Sequence, residues 1–170
     1  MKIQIIGYSG SGKSTLAKQL SEHYNLPLLY LDNTKFFDNW VEREDVEQEK
    51  MVEEFLNKND SWVIDGNYRK ISPRRFKECD LLLFLDFNRF FCYRQAKKRY
   101  KANKGTPRES CHCPEKFDLG FRFWILFGSH TREKKRSLQK LINLAQCEKH
   151  KFKNRKQLKK YLESIGIKDN

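Results

Sequence analysis

Residues 7–15 read Gly7-Tyr8-Ser9-Gly10-Ser11-Gly12-Lys13-Ser14-Thr15, which satisfies the pattern G-x-x-x-x-G-K-[S/T]. Each residue type in that pattern has a part in holding phosphate. Glycine lets the backbone turn tightly and approach oxygen atoms that a Cβ would repel. Successive amides can then point inward as a nest for an anion. A helix opening near Lys13 would aim its unpaired amides and the positive end of its dipole at the same oxygens. Lys13 is expected to reach the β and γ phosphates of a nucleoside triphosphate as a mobile point charge, and the Ser14 hydroxyl to coordinate Mg2+. The contact set expected from the loop is Gly7, Ser9, Gly10, Ser11, Gly12, Lys13, Ser14 and Thr15. At average residue frequencies, a chain of this length matches the pattern by accident roughly once in 200.

A phosphate loop of this kind needs an acid to orient its metal. Asp65, after Ser61-Trp62-Val63-Ile64, and Asp86, after Leu81–Leu85, both sit where a strand would end, and either could hold Mg2+ through water. Arginine grips phosphate with a two-pronged fork. Arg94 and Lys98, four apart, share one face of a helix, and Arg132 and Arg136 repeat that spacing. Cys111-His112-Cys113 is one tight cluster, whereas a zinc site typically draws on two separated pairs. Cys147 and His150 would complete it only by folding back. Phe117, Phe121, Phe123, Trp124 and Phe127 could stack a base, although their helical spacing fits packing better.

The elements that would position these residues follow from pattern. Lys2–Ile6 is a short apolar strand ending at Gly7, and Ser14–Tyr24 is a helix through Leu16, Leu20 and Tyr24. Asn25-Leu26-Pro27 breaks it, and Leu28–Leu31 forms a second strand ending at Asp32. Residues 33–44 look irregular, and Asp45–Asn57 is helical. Trp62–Ile64 is a third strand. Leu81–Leu85 is a continuous apolar run of the kind found in a parallel sheet covered on both faces. A helix over Asn88–Tyr100, a loop over 101–116 with Gly105, Pro107 and Pro114, and a helix through Phe117, Phe121, Trp124 and Ile125 come next. A helix through Leu138, Leu141, Ile142 and Ala145, a weak strand near Lys149–Phe152 and a last helix through Leu158, Tyr161, Leu162 and Ile165 complete the chain. Strands alternating with helices predict an α/β fold with a parallel sheet.

The 170 residues suit one domain. With 38% hydrophobic and 14% aromatic residues, the chain is not composed like a disordered one. Nothing approaches the run of about 18 apolar residues needed to span a bilayer, and Ile3–Ile6 is too short for a secretory core. The five cysteines, Cys79, Cys92, Cys111, Cys113 and Cys147, therefore read as reduced thiols of a cytoplasmic protein. The formal net charge is +13, but residues 1–90 hold 13 Lys/Arg against 15 Asp/Glu, while 91–170 hold 22 against 7. Such asymmetry suggests an anionic partner, either a phosphate-rich small molecule or nucleic acid.

The form G-x-x-G-x-G-K-S-T resembles the adenylate-kinase-like branch of P-loop kinases. More narrowly, residues 7–15 together with Asn39-Trp40-Val41, Trp62-Val63-Ile64-Asp65-Gly66-Asn67-Tyr68 and Leu85-Asp86-Phe87 resemble bacterial DNA topology modulation proteins, a group related to adenylate kinase. The resemblance implies a three-layer fold with a five-stranded parallel sheet of order 2-3-1-4-5, ATP as phosphoryl donor, Mg2+, and a helical lid. It divides the single domain 1–170 into an acceptor-covering region at about 33–60 and a lid at about 101–130. Adenylate kinases carry Asp-Gly-Phe-Pro-Arg after the third strand, and this chain has Asp65-Gly66-Asn67-Tyr68-Arg69. By that match Asp65, rather than Asp86, partners Mg2+, and Arg69 contacts acceptor phosphate. Arg94 matches a lid arginine, and Arg132 a second. Asp32 falls where kinases of sugars and shikimate place an acid against the acceptor hydroxyl, which would make it a general base. Trp40 would cover the acceptor. The expected activity is transfer of the γ-phosphoryl group of Mg-ATP to a small acceptor. The alternative is an ATP-dependent DNA-binding regulator, as the group's name implies, with the basic second half on the nucleic acid.

Overall fold

The structure is a computed structural model and describes residues 1–167. Five parallel strands, β1 (Lys2–Gly7), β2 (Leu28–Tyr30), β3 (Trp62–Asp65), β4 (Leu81–Leu85) and β5 (Glu148–Phe152), form one sheet of order β2-β3-β1-β4-β5. The central strands are apolar because helices cover both faces: β3 and β4 are buried throughout, and β1 at every residue after Lys2. Register places Ile5 opposite Asp65, Tyr30 opposite Asp65, and Gly7 opposite Leu85, so the carboxyl ends of β1, β2, β3 and β4 finish along one edge. That edge carries the phosphate loop and both candidate acids of the inner strands.

Helix α1 (Lys13–Tyr24) buries Leu16, Ala17 and Leu20 and packs on β1, β2 and β3. Its left-handed stop at Asn25 precedes Pro27, as a residue tolerant of that conformation should. Helix α3 (Asp45–Lys58) inserts Val52 and Leu56, α5 (Arg89–Ala102) inserts Cys92 and Ala96, α7 (Arg132–Leu144) inserts Leu138 and Leu141, and α8 (Arg155–Ser164) inserts Leu158 and Leu162. Asn88, Thr131 and Asn154 cap α5, α7 and α8, each accepting the backbone N–H of the third helical residue.

Four local expectations change. β2 stops at Tyr30, and Leu31 instead opens a short helix, α2 (Leu31–Lys35), which places Asp32 in a helical first turn. The stretch 33–44 is ordered by α2, a 3-10 turn at Asp38–Trp40 and a bridge between Phe36 and Glu42. A helix not anticipated, α4 (Arg74–Glu78), follows Ser72-Pro73 and packs on β1 and α7. The aromatic helix begins later than its spacing implies: Phe117 lies outside, α6 is Leu119–Phe123, and the chain continues as a π-helical turn over Trp124–Gly128. No helix among the described residues is long and apolar enough to cross a membrane.

Candidate functional site

The loop between β1 and α1 has the geometry its glycines require. Gly10 and Gly12 adopt left-handed φ of 79° and 93°. A Cβ on Gly10 would lie 2.3 Å from the Cys92 carbonyl oxygen, so the loop is pressed against the first turn of α5. Ser11 donates its amide to the Tyr8 carbonyl at 3.1 Å, which closes the turn. Lys13 lies across the loop and donates Nζ to the same Tyr8 carbonyl at 3.2 Å. Ser14, in the first turn of α1, donates its hydroxyl to Asp65 Oδ2 at 2.7 Å.

Asp65 is buried, and its Oδ1 has no hydrogen-bond partner. Burial raises its pKa above the usual carboxylate range, while Lys13 and the Ser14 hydrogen bond pull it down and Asp32 pushes it up again. A hydroxyl, a carboxylate oxygen spent on it, and an orphaned carboxylate oxygen form an all-oxygen donor set, the chemistry Mg2+ prefers. The residues present therefore fit the ion. Asp86 is engaged elsewhere, through an ion pair with Lys151 at 2.9 Å.

The segment after β3 is held from two sides. Asn67 grips the end of β1, accepting from Gly7 N at 3.0 Å and donating to Gly7 O at 2.8 Å. Beneath it lies Arg75, fully buried on α4, which sequence reasoning did not single out. Its guanidinium donates to the carbonyls of Gly66, Asn67, Tyr68 and Ile71 and to Gln4 Oε1 at 2.7 Å. Burial lowers its pKa to about 9, which leaves it charged at neutral pH. One cation thus replaces the missing backbone partners of an irregular turn. Tyr68 donates its hydroxyl to Asp32 Oδ1 at 2.8 Å, and burial together with that carboxylate raises the phenol's pKa.

Residues 103–118 fold over the region of α2 and the 3-10 turn. Asn33 donates to the Glu109 carbonyl at 2.7 Å and accepts from His112 N at 3.1 Å. Trp40 donates its indole N–H to the Pro114 carbonyl at 2.9 Å and its backbone N–H to Cys113 Sγ at 3.3 Å. Trp40 has a φ of 66°, an unusual conformation for a bulky side chain, and these contacts hold it there. Cys111 and Cys113 are buried in this docking while His112 is exposed. Among the described residues no group of three or more His, Cys, Asp or Glu is arranged to hold a metal. Inside the segment, buried Glu115 pairs with Arg99 of α5 and with Arg108, each at 2.9 Å.

A cleft of about 650 Å3 lies between the loop and this cover. Ser9, Gly10, Gly12, Lys13, Ser14 and Thr15 form its floor, with Asp65 to Tyr68, Asp32 and Trp40 on one side. The other side is Gln95, Lys98, Arg99 and Ala102 of α5, then Arg108, Phe121, Trp124 and Lys134. A side cavity of about 300 Å3 between Trp40 and Phe121 adjoins it. Gly7 and Ser11 support the loop from behind: both are buried, and the Gly7 backbone is taken by Asn67. Arg69, Arg94 and Arg132 are exposed and lie outside the cleft wall. On α5 the inward face is the one holding Gln95, Lys98, Arg99 and Ala102, and Arg94 is turned out of it. The cations that line the cleft are Lys13, Lys98, Arg99, Arg108 and Lys134. The spacing of Arg108 and Glu115 gave no sign that the two would meet.

In sequence the chain matches no protein-family profile and no curated protein. In structure it is similar to deoxyadenosine kinase from M. mycoides with bound dATP, at 12% identity over 97% of this chain and 98% of that one, with a TM-score of 0.56. The same enzyme with products dCMP and a flexible dCDP bound gives 15% identity, the same coverage and a TM-score of 0.53. Shikimate kinase from Acinetobacter baumannii in complex with shikimate gives 12% identity over 96% and 92%, with a TM-score of 0.51. The chain has the fold of the P-loop kinases, and the sheet order expected from sequence is the one observed.

Proposed function

We propose that the chain is a phosphotransferase that moves the γ-phosphoryl group of Mg-ATP to a small acceptor. The observation that carries this is the Ser14–Asp65 pair, 2.7 Å across, at the mouth of a glycine loop that opens into a cation-lined cleft. Ser14 and Asp65 would hold Mg2+, which when bound neutralises charge on the phosphate oxygens. Lys13 and the loop amides grip the donor phosphates. Arg99 and Arg108, tied in place by Glu115, compensate charge on the moving group; their position in the cleft wall supports this role for them ahead of Arg69, Arg94 and Arg132. Residues 103–118 act as the lid that excludes water and suppresses hydrolysis of ATP.

On the acceptor side, Tyr68 orients Asp32 through Oδ1. The second carboxylate oxygen takes the proton when the acceptor is a hydroxyl, and is not needed when the acceptor is already a phosphate. Trp40 and Phe121 frame the side cavity, which suits an acceptor with a flat or apolar part. The test is ATP consumption against nucleosides, nucleotides, sugars and duplex DNA, with wild type beside Lys13→Ala. Acceptor-dependent turnover in one small-molecule class is expected. It should fall by at least about 100-fold in the variant, whose melting temperature stays within a few degrees. ATP loss that no small acceptor stimulates, or a Lys13→Ala enzyme as fast as wild type, would overturn the proposal.

A further inference from the structure

All five cysteines are free thiols, and two of them meet across 68 positions of sequence: the sulfurs of Cys79 and Cys147 are 3.2 Å apart. The sheet brings them together. Cys79 ends α4 two residues before β4, and Cys147 directly precedes β5. β4 and β5 are parallel neighbours with Leu81 opposite Glu148, so the two turns that feed them lie side by side. Both cysteines are at the amino ends of their strands, away from the edge that carries Gly7, Asp65 and the cleft. Cys79 is buried and Cys147 is half-buried. An S–S bond is about 2.05 Å long, so about 1.1 Å of approach separates the thiol pair from a bond.

We propose that Cys79 and Cys147 form a reversible oxidation site, converted to an intramolecular disulfide by exchange with a low-molecular-weight disulfide of the glutathione type. Cys147, the more accessible of the two, loses its proton to water, and its thiolate attacks one sulfur of the reagent. The reagent S–S bond breaks, and one glutathione leaves as thiolate and is protonated. Cys79 then gives up its proton and attacks the Cys147 sulfur, and the second glutathione leaves in the same way. Two protein thiols are oxidised and one reagent disulfide is reduced to two thiols. Burial and the hydrogen bond its thiol makes to Cys147 raise the Cys79 pKa, which makes it the resolving rather than the attacking group.

The bond closes a covalent loop around β4, α5, the 103–118 segment, α6 and α7, and so restricts the unfolded chain far more than the folded one. The site stands apart from the other thiols. Cys113 accepts from Trp40 N and donates to the Phe37 carbonyl, and Cys92 is fully buried beneath the phosphate loop. It is also independent of whether the chain transfers phosphate.

The test uses the full chain, first reduced and then equilibrated in a series of glutathione redox buffers, quenched by alkylation and mapped by peptide mass. A linked pair of peptides containing Cys79 and Cys147 is expected, with a mass lower by about 2 Da and a melting temperature higher by roughly 5 °C or more. Reductant should reverse all three. Cys79→Ser should stop with one glutathione on Cys147, and Cys147→Ser should leave Cys79 unmodified until the chain unfolds. Both cysteines still free in the most oxidising buffer, or either one linked to Cys92, Cys111 or Cys113, would overturn the proposal. Because Cys147 is only half-buried, the Cys147→Ser variant keeps the test open should Cys79→Ser fail to fold.

Discussion

Asp65 illustrates how one residue can carry opposite demands. It is buried for the sake of the sheet and must be charged to hold the ion we propose for it. Because its folded pKa is raised, the native chain keeps this proton at a pH where the unfolded chain, with an aspartate near 3.9, has lost it. Stability in the absence of metal therefore falls as pH rises through the window from about 3.9 to the raised folded value. Asp65→Asn is expected to remove that slope and to leave the metal-free protein at least as heat-stable as wild type. Under the proposed function, wild type should gain heat stability from Mg-ATP and the variant should not, read by calorimetry across pH with and without ligand. The same residue scale marks a boundary of sequence reasoning. The positions of Lys13, Ser14 and Asp65 in the fold were legible because a short motif and a strand end fix them. Arg75 was not, because its partners are carbonyls of a turn and a glutamine on another strand, none of which leaves a pattern in sequence.

At the scale of elements, the strands and long helices were legible because burial on both faces forces continuous apolar runs, and burial on one face forces a helical stripe. Helix α4 escaped because its five residues bury an arginine and a phenylalanine, too few to show a period. The start of α2 escaped because Leu31 is apolar enough to extend β2, and only the turn of the chain towards Gln48 and Thr34 decides against it. The phase of α5 escaped too: the inward face centres on Gln95, Lys98, Arg99 and Ala102, and Arg94, one turn from Lys98, lies past its margin, which a four-residue spacing alone does not reveal. The 103–118 segment has little secondary structure of its own and is held by side chains, above all by Glu115 between two arginines. Glu115→Gln leaves both arginines without a buried counter-charge, at a cost of about 3 kcal/mol. We expect lower acceptor-dependent turnover, faster hydrogen exchange confined to 103–118, and a larger share of ATP lost to water. Unchanged exchange in that segment would overturn the proposed role of Glu115 as anchor of a lid.

At the scale of the whole molecule, the charge asymmetry remains after the cleft has taken its share. Lys13, Lys98, Arg99, Arg108 and Lys134 line the cleft. Arg132, Lys135, Arg136 and Lys140 on α7, Lys149 and Lys151 on β5, and Lys153 just after it are exposed. Such a surface attracts any polyanion at low salt without reading its sequence. Duplex DNA should therefore bind weakly at low ionic strength. The logarithm of the affinity should fall by about 0.9 per contacted phosphate for each tenfold rise in salt, whatever the sequence. Fluorescence anisotropy over a salt series checks this, and affinity that persisted at high salt and favoured one sequence would instead support the regulator.

The two outermost strands differ from the inner three in a way that bears on crowded solution. β2 is only three residues long, and β5 spells Glu148-Lys149-His150-Lys151-Phe152, with the first two residues and Lys151 exposed. A parallel sheet that ended in another apolar run would offer its open hydrogen-bonding rim to any stray extended peptide. Brevity on one flank and exposed charged side chains on the other deny such a guest a foothold, and the sheet of the described residues ends at five strands.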